Sequence, residues 1–463
     1  MFRHERRSGG KPILVAVAVT TLLFANAGAR AQEPAPTLTL PEAIRQALES
    51  NPKQVSQRLE VQKSENEQRA AHGAKMPSLD LTASATRYGY PTFVYGIRQL
   101  GVFPPLDDRI YDYGVALKLP LYAGGKLSQG VVLADLGKEI SLERERLGVQ
   151  ELTYNVSTVY LKIEQLAALE QAYDARIDSL DSEEKRITLL RRVGRAAKLD
   201  YLKINGQLTK ARHDRLQIEN RRQEARTLLY QLMGRERPAQ ETPLARYVAA
   251  AAPAGKLEGL KQEAFAQHPE LRIAEQQSAA GAAQEAIARG GRRPALSLVG
   301  GYGERSGADW RFYEDWAVGL QFSVPVLDGG VRRARVDEAV LAREQARQGV
   351  EQARLDVARQ VQDAWDAQAE AESRLQVTAT SIAEAAEALA IEKLRYEQGV
   401  GVTTDLLNAE TTLLTAQADR LQAQFDLIVA RLGLLRATGA LDPERIATLV
   451  RPDTGPAEES NKP

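Results

Sequence analysis

The chain has 463 residues, its 61 Lys and Arg balance its 61 Asp and Glu, and it contains no Cys and only four His. Zero net charge leaves no basic footprint for nucleic acid, and the missing thiols exclude disulfides and thiolate metal sites. No Ser-His-Asp, Cys-His, phosphate-cradling glycine loop or metal-ligand spacing occurs, so neither an enzyme nor a cofactor is expected.

The first recognisable element is an export signal, residues 1–31. Arg3, Arg6, Arg7 and Lys11 precede an apolar run from Ile13 to Ala27, and Ala29-Arg30-Ala31 offers small side chains where a signal peptidase reads. That run is shorter than the roughly 20 residues that span a bilayer. No later segment suits a transmembrane helix, which leaves a closed β-barrel as the route across a membrane. Two alternating stretches fit, at about 77–89 and 113–122. Leu79, Leu81, Ala83 and Ala85 alternate with Asp80, Thr82, Ser84 and Thr86, and Val115, Leu117, Leu119 and Leu121 keep the same period. Each is about ten residues long, the length of a tilted barrel strand. A soluble sheet facing a core would show the same alternation.

A rod follows. Residues 126–193 predict a helix of roughly 100 Å at 1.5 Å per residue, then a tip at 194–200 and a return helix at about 200–233. Residues 235–260, rich in Pro and Ala, read as a linker that forms an equatorial belt with residues 32–50. The second half has strands at about 294–303 and 316–326, a long helix at 331–398, a tip at 399–404 and a return helix at 405–436. In that half Val357, Val361, Ala364, Gln368, Ala371 and Leu375 step by four and three, and Leu407, Leu414, Leu421, Ile428 and Leu435 recur every seventh residue. Gly194, Gly399 and Gly401 are expected to supply the positive φ values of tight reversals. Residues 440–463 read as a disordered tail.

Residues 32–234 and 261–439 are two copies of one plan. Asn51-Pro52 answers His268-Pro269, Leu121-Tyr122-Ala123-Gly124-Gly125 answers Val326-Leu327-Asp328-Gly329-Gly330, and Met233-Gly234 answers Thr438-Gly439. Gly194 and Asp200 are spaced as Gly399 and Asp405. Four strands cannot close a barrel, so several chains must contribute; three would give about twelve strands.

These paired features, with Pro77-Ser78-Leu79 and Pro294-Ala295-Leu296 at the strand starts and the run from Arg395 to Glu410 at the tip, resemble the TolC-like outer membrane efflux protein (outer membrane factor) family. The resemblance covers essentially the whole mature chain. It implies a mainly α fold with a small transmembrane β component: a homotrimeric twelve-stranded barrel in outer-membrane lipid, continued by a long periplasmic α-helical barrel. It implies a passive exit duct of a tripartite efflux or type I secretion system, docked on a periplasmic adaptor and an inner-membrane transporter. By position it makes Asp405 a pore constriction, with Asn408 where the family commonly has a second acidic ring. A helix N-cap is the other reading of Asp405, and of Asp200. The resemblance also implies a tip latch of Tyr396 with Asp200, helped by Arg195, while Gly401 stands where an Arg is often found. The alternative is a periplasmic coiled-coil adaptor or scaffold without a pore, which would share the hairpins but has no use for four alternating strands.

Overall fold

The computed structural model describes residues 37–240, 242–250 and 255–452. The expected export signal and the end of the tail lie outside them. In chain order, α1 (Leu40–Ser50) and α2 (Pro52–Gly73) lead to β1 (Ser78–Phe93) and β2 (Leu106–Tyr122), followed by α3 (Lys126–Arg192), α4 (Lys198–Leu232) and the short β3 (Tyr247–Ala249). The plan then repeats as α5 (Leu257–Gln267), α6 (Pro269–Gly290), β4 (Ala295–Ser306), β5 (Tyr313–Ser323), α7 (Val331–Glu397) and α8 (Thr403–Ala437), and ends with α9 (Pro443–Leu449) and β6 (Val450–Pro452).

The four long strands form one antiparallel sheet in the order β1-β2-β4-β5. The register aligns Leu81, Val115, Tyr302 and Trp316 across it. Because side chains alternate between faces, this places Leu79, Leu117, Leu298, Val318, Leu320 and Phe322 on one side and Asp80, Thr82, Asp112 and Arg305 on the other. Asp112 and Arg305 are ion-paired on the polar side. The strands expected to end near 89 and 303 and to resume near 113 and 316 run on, so the segments connecting them are shorter than the sequence suggests. Thr92 pairs with Asp107 and Phe93 with Leu106 beyond a register shift after Arg87. A bulge of this kind breaks the two-residue period that marks a strand in sequence, so the extension carries no alternation to read.

The helices make the rods. α3 and α7 have 67 residues each, roughly 100 Å, and α4 and α8 have 35, roughly 50 Å. α4 pairs with α3 and α8 with α7 as antiparallel hairpins, and α2 and α6 lie along the same long helices nearer the sheet. The short helices meet end to end. Gly234, at φ 70°, ends α4 so close to the α1–α2 junction that a Cβ there would stand 2.3 Å from Ser50 O. Asn51 completes the joint by donating from Nδ2 to Leu232 O at 2.9 Å. In the second half Gly439, at φ 69°, ends α8 with the place of a Cβ 2.8 Å from His268 Cα.

The main core lies at this level. Leu40, Ile44, Val156, Tyr160, Leu229, Met233, Leu432, Leu441 and Ile446 pack into one cluster. Tyr160 is fully buried, and its hydroxyl lies 2.7 Å from Leu38 O and 2.8 Å from Ala245 O, donating to one at a time. Here the expected disordered tail needs correction. Residues 441–452 are ordered: α9 contributes Ile446 and Leu449 to the core, and β6 pairs antiparallel with β3. The physical reason is burial, since four apolar side chains of this stretch, Leu441, Ile446, Leu449 and Val450, are at most 3% exposed.

Candidate functional site at the helical tip

At the far end of the rods each hairpin turns within a few residues. α3 runs into Gly194 at φ 74° and α7 into Gly399 at φ 77°, the left-handed conformation that lets the last carbonyls be satisfied. Arg195 N donates back to Leu190 O, and Val400 N to Arg395 O. Gly401 is different from what the sequence suggested: its φ is not positive. Its need is space, because a Cβ would stand 2.9 Å from Tyr396 N, where the turn folds back so that Gly401 N donates to Arg395 O.

Neither aspartate caps its helix. The capping positions are Ala197 and Val402, neither of which makes a side-chain cap, and Asp200 and Asp405 stand one turn in, at the third helical residue. A carboxylate there is favoured by the helix dipole without a hydrogen bond to the first N–H groups. Asp405 and Asn408 are both exposed and one turn apart, on one face. Two residues from Asp405, Leu407 is buried in a cluster with Leu180, Ile187, Ile204 and Leu208 of the α3–α4 hairpin. At 100° per residue that sets Asp405 on the opposite side of α8, away from that hairpin. Asn408 lines an open groove of about 720 Å³ between α7 and α8, together with Glu384, Thr412, Thr415 and Asp419.

Among the described residues no hydrogen bond joins Tyr396 to Asp200, and the Arg195 side chain makes no hydrogen bond or ion pair with either. The Tyr396 ring packs against the apolar cluster and is covered by the guanidinium of Arg186, 4.7 Å from its centroid. Other groups tie the α7–α8 hairpin to the α3–α4 hairpin. Lys203 Nζ donates to Thr404 Oγ1 at 2.7 Å. Two turns along α8, Glu410 pairs with Arg176 of α3 at 3.4 Å and accepts from Ser179 Oγ at 3.0 Å, while Arg176 donates to Thr411 Oγ1 at 3.0 Å. Sequence reasoning missed these residues, since each sits in a charged stretch that reads as solvated helix face and the partners are more than 200 positions apart.

No helix among the described residues is long and apolar enough to cross a membrane, and no group of three or more His, Cys, Asp or Glu among them could hold a metal ion. The arrangement combines an amphipathic sheet with two free edges, long rods, and a polar tip that exposes Asp405.

Comparison with known proteins agrees. Outer membrane protein OprJ of Pseudomonas aeruginosa is 26% identical over 383 residues, covering 79% of this chain and 76% of that protein. The toluene efflux pump outer membrane protein TtgI of Pseudomonas putida is 25% identical over 74% of this chain and 72% of its own length. The crystal structure of outer membrane protein VceC from Vibrio cholerae superposes with a TM-score of 0.74 at 19% identity, over 86% of this chain and 96% of that one. These similarities favour an outer-membrane exit duct and set aside the adaptor alternative. The family of outer membrane efflux proteins matches residues 43–235 and 260–440, and the chain belongs to it.

Proposed function

We propose that three copies of this chain close one barrel in the outer membrane and one helical tube beneath it, which together form the exit duct for an inner-membrane transporter reached through a periplasmic adaptor. The observation that carries the reading is the sheet. β1 and β5 are its free edges and run antiparallel to each other, so β5 of one copy can pair with β1 of the next, and three sheets give about twelve strands. The Leu79, Val318 and Phe322 face then meets lipid, and the Asp80, Asp112 and Arg305 face meets water. Left open, both edges would be unpaired templates for aggregation.

The tube conducts passively, with energy and most substrate choice supplied by the transporter. Around a three-fold axis Asp405 occurs three times and makes a negative constriction that attracts cations and repels anions. With Asn408 one turn on, the constriction carries one acidic ring at this level. The name of TtgI, a toluene efflux pump outer membrane protein, supports efflux more than polypeptide secretion. Assembly is tested on detergent-extracted membranes. The protein should fractionate with the outer membrane and run as a trimer that collapses to a monomer on boiling; a monomeric or periplasmic protein contradicts the reading.

A further inference from the structure

We infer that the buried ion pair between the α3–α4 and α7–α8 hairpins (the outer and inner hairpins of the proposed tube), Arg176 of α3 with Glu410 of α8, sets how readily the tip opens; this rests on reading the tip as the gate of the duct. The two side chains retain only 8% and 10% exposure. Hydrogen bonds from Ser179 to Glu410 and from Arg176 to Thr411 complete a four-residue joint across the α3–α8 contact. Beside it lies a cavity of about 160 Å³, lined by Ala172, Ala175, Leu389, Leu413 and Leu414 among others, so the pair sits against mostly apolar walls.

Such a joint holds register but is easily parted. Burial pushes the Glu410 carboxyl up and the Arg176 guanidinium down, in each case more strongly than the partner's charge pulls back. Glu183 on α3 adds repulsion and Lys393 on α7 attraction at Glu410, while Tyr173 faces Arg176. Taking two charges out of water costs more than their attraction returns unless the geometry is very good, so leucine-like groups in the same space would bind α8 to α3 more tightly. When the inner hairpin moves off the outer one, both charges regain water, which lowers the cost of separation. Apolar packing at Leu407 holds the hairpins together near the turn, and the charged joint one turn further along α8 keeps that hold reversible. Losing one partner alone leaves an uncompensated charge in the contact and drives the hairpins apart.

The test is open probability in planar bilayers for purified trimers. Arg176→Glu and Glu410→Arg each place like charges together and should raise opening at least about tenfold, the double swap should return it close to the native level, and Arg176→Met with Glu410→Leu should fall below it. Single variants that open like the native protein, or a double swap as open as the singles, overturn the proposal. Should the single variants fail to assemble, Ser179→Ala and Thr411→Val keep both charges and remove one hydrogen bond each. Those two are expected to raise opening about two- to fivefold, and no change in either overturns the proposal. Native trimers that pass no current at all would contradict the duct reading itself, and the gate with it.

Discussion

His268 and Asn51 hold equivalent joints with different chemistry. Asn51 Oδ1 accepts from Lys53 N at 2.9 Å, and its amide donates across to the end of α4. His268 Nδ1 accepts from Glu270 N at 3.3 Å, and the ring is 3% exposed beneath the end of α8. Burial lowers the His268 pKa; Glu270 opposes this and Arg146 adds to it. The fold therefore favours the neutral ring. Below the ordinary histidine value of about 6.5 the unfolded chain takes up a proton that the folded chain refuses, so stability is lost as pH falls. A protonated ring would also lose the Nδ1 acceptor and set a cation at the positive end of α6. His268→Asn should keep the cap and remove this sensitivity. Melting temperature measured between about pH 7.5 and 5.5 should drop less in the variant; an equal drop would place the sensitivity elsewhere. At this scale the sequence was only partly legible. Paired Asn-Pro and His-Pro mark the joints because a cap followed by Pro starts a helix, whereas Arg176 and Glu410 are indistinguishable from solvated positions until α3 and α8 are brought together.

Among the elements, the end-to-end joints are the most constrained. Gly439→Ala combines a left-handed φ with a close approach to the His268 backbone, and should cost about 2–4 kcal/mol. Gly399→Ala has the same sign of φ but open space around it, and should cost only about 1–2 kcal/mol. Denaturant or thermal unfolding of the two variants in detergent compares them directly. Equal losses would mean that the backbone conformation alone matters, and the joint does not. The tail makes a second prediction. A chain ending at Ala440 loses Leu441, Ile446 and the β3–β6 pairing, and should unfold at a lower temperature than Gly439→Ala; a truncated protein as stable as the full one would deny α9 a place in the core. The long rods and four strands are legible because a period of 3.5 or 2 repeats many times within each of them. The strand extensions past Arg87 and the packing of α9 are not. A bulge resets the period, and a seven-residue helix has too few turns to show one.

At the scale of the whole molecule, the single chain leaves edges and apolar surface uncovered. Its sheet has two free edges, large apolar side chains such as Leu81, Val318, Leu320 and Phe322 are more than 60% exposed, and each rod is only a segment of wall. The proposed trimer would answer these features at once, because the copies that close its barrel would also cover the rods and bring three Asp405 carboxylates around the axis. The fold class could be read from one chain, since duplication and periodicity are properties of one chain. The proposed pore could not, since it would form only between copies. The most direct measurement is single-channel current through purified trimers in a planar bilayer, for the native protein and Asp405→Asn. The account predicts discrete steps in both, with a cation preference that falls in the variant by at least about twofold as the ring loses its charge. Steps with unchanged selectivity would remove Asp405 from the constriction, and an inserted trimer that gives no steps would contradict the duct.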